Sequence, residues 1–150
     1  ADGTLTAGAG GLCGSWVYGT LVRGDDIPTA TQVLSGRVGR GGTGSPVNPL
    51  GGQNNGDGQA TTLWGAGLSE LSAAGGEWAA NTGTIFGVVV PISYGQGVPE
   101  IALNDREYAG GAVQMTWGAN GNGPGGGGSG GFSFLPGGDG ASGGLWLKAY

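Results

Sequence analysis

The chain has no histidine, a single cysteine, a single methionine and five residues of Lys and Arg together. Each shortage closes a class of function. Without histidine there is no Ser-His or Cys-His nucleophile pair. Cys13 alone forbids an intrachain disulfide, and one cysteine with no histidine cannot build a tetrahedral zinc site. Five cations against ten acids leave a net charge of −5, which offers no footprint for nucleic acid or an anionic membrane. The longest apolar run, Val88–Ile92 with Ile85 and Phe86 before it, is too short to span a bilayer as a helix. Charge is scarce as well, at 10% against the roughly 25% of an average domain. With a mean hydropathy of −0.02, the chain does not read as a solvated disordered tail. No N-x-[ST] sequon occurs, which disfavours a glycosylated secreted protein. Ala1-Asp2 suits removal of an initiator methionine and equally suits a signal-cleaved end.

Glycine is what the chain has in excess: 40 of 150 residues, where average composition would give about ten. Residues 118–144 are the densest stretch, with fourteen glycines in 27 positions and the run Gly125–Gly128 at the centre. Glycine loses more backbone freedom on ordering than any other residue and has no side chain to bury. The tract is therefore expected to be ordered from outside, by other copies of the chain or by other proteins. The segment after it, Leu145–Tyr150 (LWLKAY), is apolar enough to need burial.

A length of 150 residues suits one domain. The division expected is a β domain over 1–117, opening on an extended arm at Ala1–Gly14, and a glycine-rich segment over 118–150 with an apolar end. Strands are predicted at Ser15–Val22, Thr29–Leu34, Thr84–Tyr94, Val98–Leu103, Ala112–Trp117, Phe132–Leu135 and Leu145–Tyr150. Pro91 should end its strand or mark an edge or bulge. The loop Asn104–Gly111 fits a hairpin connection. Ser35–Gly58 reads as a long irregular loop of the kind that serves an interaction. Thr61–Ala80 is the one place for a helix, of one or two turns, from the spacing of Leu68, Leu71 and Ala74. The fold class implied is all-β: a small antiparallel sandwich or barrel-like domain with long glycine-rich loops and an extended glycine-rich C-terminal segment. Glycine does not recur every third residue, which excludes collagen, and the irregular spacing of the tryptophans disfavours a propeller.

Several motifs match by composition alone. Gly127–Gly131 and Gly140–Gly144 fit GxSxG, but no base and no following helix accompany Ser129 or Ser142. Gly121–Gly126 fits GxGxxG, yet the glycine run cannot open the required helix. Arg40-Gly41-Gly42 resembles one RGG element and reads as a loop on this acidic chain. Asn54, Asn55 and Asp57 are oxygen ligands in a tight loop; a plain turn outweighs a calcium site there, because the spacing departs from the EF-hand. Glu70, Glu77, Glu100, Asp105 and Glu107 could supply the carboxylate pair of a glycosidase, though sequence does not place them and they read as solvated surface groups. Cys13 reads as a small buried residue, with an interchain link as the alternative. The aromatics set among glycines (Trp117, Phe132, Phe134, Trp146, Tyr150) read equally as core filling and as interface anchors.

The all-β pattern, the tract of glycine punctuated by aromatics and asparagines in Gly118–Tyr150, the lack of histidine and the apolar end resemble glycine-rich virion proteins of tailed bacteriophages. These include head decoration proteins, fibres and tail adhesins. The resemblance is compositional. It implies a non-catalytic virion protein without cofactor, multimeric and expected as a trimer, whose partners are copies of itself and other virion proteins, with a host-surface glycan as a further partner. The assembly interface is expected at Phe132, Phe134, Leu145, Trp146, Leu147 and Tyr150. In the glycine-rich adhesins of that group the tracts fold as packed polyglycine-type helices; this chain departs from them in having one dense tract. A secreted bacterial surface filament subunit or adhesin is the alternative reading, and a polysaccharide-acting enzyme the next.

Overall fold

The structure is a computed structural model that describes residues 8–46, 56–77, 82–132 and 135–149. Among these there is no helix, and the fold is all-β, with small antiparallel sheets and long glycine-rich segments. One sheet has three strands in the order β1 (Leu34–Arg37), β2 (Thr61–Gly65), β3 (Leu68–Ala73). Two hairpins complete the set: β4 (Thr82–Ile85) with β5 (Val88–Pro91), and β6 (Ile101–Leu103) with β7 (Arg106–Tyr108).

Turn chemistry explains several of these elements and corrects three expectations. The described part of Thr61–Ala80, residues 61–77, holds no helix; it supplies the β2–β3 hairpin. Thr61, Thr62, Leu63 and Trp64 favour a pleated surface, and Gly67 takes φ +78 in the two-residue turn. Residues 84–94 do not form a single strand. Phe86 and Gly87 both have positive φ and fold the segment back as a hairpin whose second strand ends at Pro91. The connection after Leu103 is tighter than expected, since Asn104 and Asp105 alone make the turn, at φ 51 and 57. Ser15–Val22 is not a strand either. Its Ser15 N–H bonds to Ala74 O and its Trp16 indole N–H to Pro99 O, and no neighbouring strand pairs with it. Ala112–Trp117 and the described residues 145–149 also lie outside the strands, the former carrying one isolated bridge between Gly95 and Gln114.

The interior is made of backbone. The N–H groups of Gly8, Gly11 and Gly14 donate to the carbonyls of Gly131, Gly128 and Gly125, at 2.8, 2.9 and 2.9 Å. Gly137, Gly140 and Gly143 donate in the same way to Ser45, Gly42 and Gly39, at 2.9, 2.8 and 3.0 Å. Gly138 and Ala141 donate to Ser129 and Gly126, and Gly130 and Gly127 to Ser93 and Gln96. Donors and acceptors therefore advance by three residues along antiparallel neighbours. Three residues is the repeat of the polyproline-II conformation, which has no internal hydrogen bonds and must find partners sideways. Residues 8–15, 39–45, 56–59, 74–76, 92–98, 111–114, 118–122, 125–131 and 137–143 form one such bundle, with 125–131 at its centre.

Packing at this distance leaves no room for side chains. A Cβ added at Gly127 would lie 2.2 Å from Gly11 O, and one at Gly41 would lie 1.8 Å from Gly140 O. Where a segment faces outward, other residues return: Arg40 and Thr43 between the glycines of 39–45, Leu12 and Cys13 in 8–15. The dense tract does pack as polyglycine-type segments, and its partners come from the same chain. Sequence inspection missed this because the partners are short glycine doublets scattered from Gly10-Gly11 to Gly143-Gly144 rather than further dense tracts.

Among the described residues, those buried are Gly10, Gly39, Gly95, Gly111, Gly126–Gly128 and Gly130, with Thr31, Leu63 and Ser129. Leu63, at 6% exposure, is the buried hydrophobic side chain of this set.

Candidate functional site

The bundle has two ends, and aromatic side chains collect at both. Gly14, Gly39, Gly125 and Gly143 lie toward one end, where the three-stranded sheet and the β6–β7 hairpin emerge. Gly8, Ser45, Gly131 and Gly137 lie toward the other, near the β4–β5 hairpin. The six steps from Gly125 to Gly131 correspond to roughly 19 Å at the polyproline-II rise.

At the sheet end Trp146 is seated against Gly144, whose added Cβ would lie 2.6 Å from the ring. Its ring meets Trp16 at 5.5 Å between centroids and Tyr108 edge-on at 6.0 Å. The Arg106 guanidinium stands 5.7 Å over Tyr108 and closes this ladder of rings. Leu145 lies over Gly36, where a Cβ would come within 2.8 Å of the leucine methyl. A cleft of about 520 Å³ runs along the bundle, lined mostly by glycine backbone from Gly8 and Gly131 onward, and at the sheet end Trp16, Leu63, Leu71, Tyr108 and Trp146 line it. Leu147 stands at its rim with 61% of its surface exposed.

At the far end Phe132 packs on Trp117 at 5.1 Å, and Leu135 is exposed nearby. The expected interface residues are thus divided: Leu145, Trp146 and Leu147 sit together at one end and Phe132 at the other. Phe134 and Tyr150 lie outside the described residues, as do Asn54 and Asn55 of the candidate ion loop. Trp16 and Tyr108 join the Trp146 cluster from 130 and 38 residues away, by subtraction of the residue numbers, and no sequence signal linked them.

Several polar side chains elsewhere bond to the backbone. Ser129 is 2% exposed; its hydroxyl donates to Thr116 O and accepts from Ala119 N–H at 3.0 Å, tying the central segment to the turn at Thr116–Ala119. Asn, Gln and Asp side chains at the bundle margin serve the same end. Asp139 accepts from Gly44 N–H at 2.7 Å, Gln96 from Cys13 N–H at 3.2 Å, and Asn122 donates to Ala112 O at 3.1 Å. Burial pushes the Cys13 thiol above its usual range. Among the described residues no group of three His, Cys, Asp or Glu side chains is placed to hold a metal ion. No helix among them is long and apolar enough to cross a membrane.

A family model described as a glycine-rich domain matches residues 1–150. The chain belongs to the glycine-rich domain family. It is also 40% identical over 149 residues to the Gene 32 protein of Mycobacterium phage D29 and 40% identical over 144 residues to the Gene 32 protein of Mycobacterium phage L5. Each alignment takes in 95% of this chain but 65% and 63% of those relatives, so the glycine-rich domain spans under two thirds of their length. Bacteriophage origin, glycine-rich character and an all-β fold go together in this domain.

Proposed function

We propose that this glycine-rich domain is a non-catalytic structural component of a phage particle, a decoration, fibre or tail protein that works by assembling with copies of itself. One observation carries the reading: the apolar side chains are on the outside. Val33, Met115, Leu135, Leu147 and eleven other large hydrophobics are exposed, whereas Leu63 is the buried hydrophobic among the described residues. The exposed Leu145, Trp146 and Leu147, which adjoin one another at the sheet end, form the surface that such an assembly would cover. The Trp16–Tyr108–Trp146 cluster has the aromatic composition that dominates interface hot spots, and the cleft beneath it admits side chains from a second copy. The phage origin of the relatives supports the particle, and the commitment of Ser129 to backbone carbonyls supports a role without nucleophilic catalysis.

The test is light scattering on size-exclusion fractions of wild type and Leu147→Glu, with mass spectrometry of purified particles. We expect a trimeric wild type, a monomeric variant with an unchanged far-ultraviolet spectrum, and the chain present in particles at structural stoichiometry. A wild type that stays monomeric at its solubility limit, or particles lacking the chain, would overturn the proposal.

A further inference from the structure

We propose that the outward face of the three-stranded sheet carries a saccharide-binding subsite built from Trp64, Arg37, Glu70 and Thr62. It rests on different observations from the assembly reading. Leu63 faces inward beneath Leu145, so by the two-residue alternation of a strand Trp64 faces away from that cleft, while Thr62 borders both hollows. Pairing of Arg37 with Thr62 brings the guanidinium alongside from β1. On β3 the register slips between Leu63–Leu71 and Gly65–Leu68, so that Ser69 and Glu70 together stand opposite Trp64. Such a bulge re-aims a side chain, and here it turns an acid toward the indole.

The four side chains line one open hollow of about 420 Å³, within the roughly 300–1,000 Å³ that small ligands occupy. Trp64 is 40% exposed on a hydrogen-bonded strand, which makes a firm platform. Among the described residues neither the Arg37 guanidinium, nor the Glu70 carboxylate, nor the Trp64 indole makes a hydrogen bond or ion pair, so their polar capacity is unspent.

That combination selects the ligand chemistry. An anionic partner would meet Glu70, a cationic one would meet Arg37, and a purely apolar one would cover both charges without satisfying them. A neutral sugar suits all three groups. Its C–H face stacks on the indole, its hydroxyls donate to the Glu70 carboxylate, and its oxygens accept from the Arg37 fork.

Saturation-transfer NMR with methyl glycosides of glucose, galactose, mannose, arabinose and N-acetylglucosamine tests this on the intact chain. At least one glycoside should receive saturation on its ring protons. Its affinity should fall about tenfold or more in Trp64→Ala and severalfold in Glu70→Gln, while Trp117→Ala at the opposite end leaves it unchanged. If Trp64→Ala proves unfolded by circular dichroism, Glu70→Gln and Arg37→Gln decide the matter alone. Absence of transfer to every glycoside overturns the proposal, as does binding that survives these substitutions. Leu147→Glu should bind sugar like wild type, so loss of assembly and loss of the subsite read out separately.

Discussion

The glycine bundle and the sheet end solve opposite packing problems. In the bundle, backbone meets backbone and any side chain is an intrusion; at the sheet end, Leu63, Leu145, Trp146, Trp16 and Tyr108 do the packing and glycines such as Gly36 and Gly144 serve as their seats. A conventional domain hides apolar side chains and lets backbone bonds follow. This one hides its backbone and leaves most large apolar side chains outside. Ordering each glycine costs about 0.5–1 kcal/mol relative to alanine, and a hydrogen bond returns a net amount of about the same size. The bundle therefore holds only where nearly every inward N–H finds its carbonyl, which the three-residue repeat provides.

The comparison can be broken at the level of the whole molecule first. Unfolding that exposes mostly peptide groups should show a small heat-capacity increment, because polar exposure lowers it. Calorimetry should give a value well below the roughly 1.8–2.3 kcal/mol/K that a 150-residue chain of ordinary composition shows. An ordinary increment would mean that side-chain burial dominates after all.

Single substitutions sharpen it. Gly127→Ala sets a methyl 2.2 Å from the Gly11 carbonyl at the bundle centre, where no flexible side chain can yield. It should cost about 3 kcal/mol or more, visible as a fall in Tm of roughly 6–12 °C. Gly11→Ala, with its nearest atom 3.7 Å away, should cost far less, and equal losses would refute the close-packing account. Leu63→Ala at the sheet end removes the buried leucine and should cost about 2–3 kcal/mol, near the low end for such sites, since its neighbour Leu145 is itself partly exposed. Gly19→Ala should be the mildest. No atom lies within 4 Å of an added Cβ and φ is not in the left-handed region, so stability should change by no more than about 0.5 kcal/mol by chemical denaturation.

Legibility followed the side chains. Thr61–Trp64 opens the one helix candidate although its β-branched and aromatic residues suit a strand, whereas the all-β class and the stop at Pro91 were written in residue type. So was the need of Leu145–Leu147 for cover, though not the identity of Trp16 and Tyr108 as their companions. Ser15–Val22 misled because Trp16 is engaged by the Trp146 ring and the Pro99 carbonyl rather than by a ladder, while Val17, Tyr18 and Val22 lie exposed. Leu68 and Leu71 misled because a bulge shifts strand spacing toward the helical interval.

Composition alone determined that this chain is poor in side chains to bury and so must satisfy its backbone in some other way. The two-residue turns at Ala66-Gly67 and Asn104-Asp105 emerged only with the paired strands, although Gly67, Asn104 and Asp105 are residues of the kind that take their positive φ. Only the tertiary structure decided which glycine segment lies beside which. The physical reason is that glycines are chemically identical, so no pattern of side chains marks one neighbour from another, and the lateral hydrogen bonds that choose between them form only once the chain has folded back on itself.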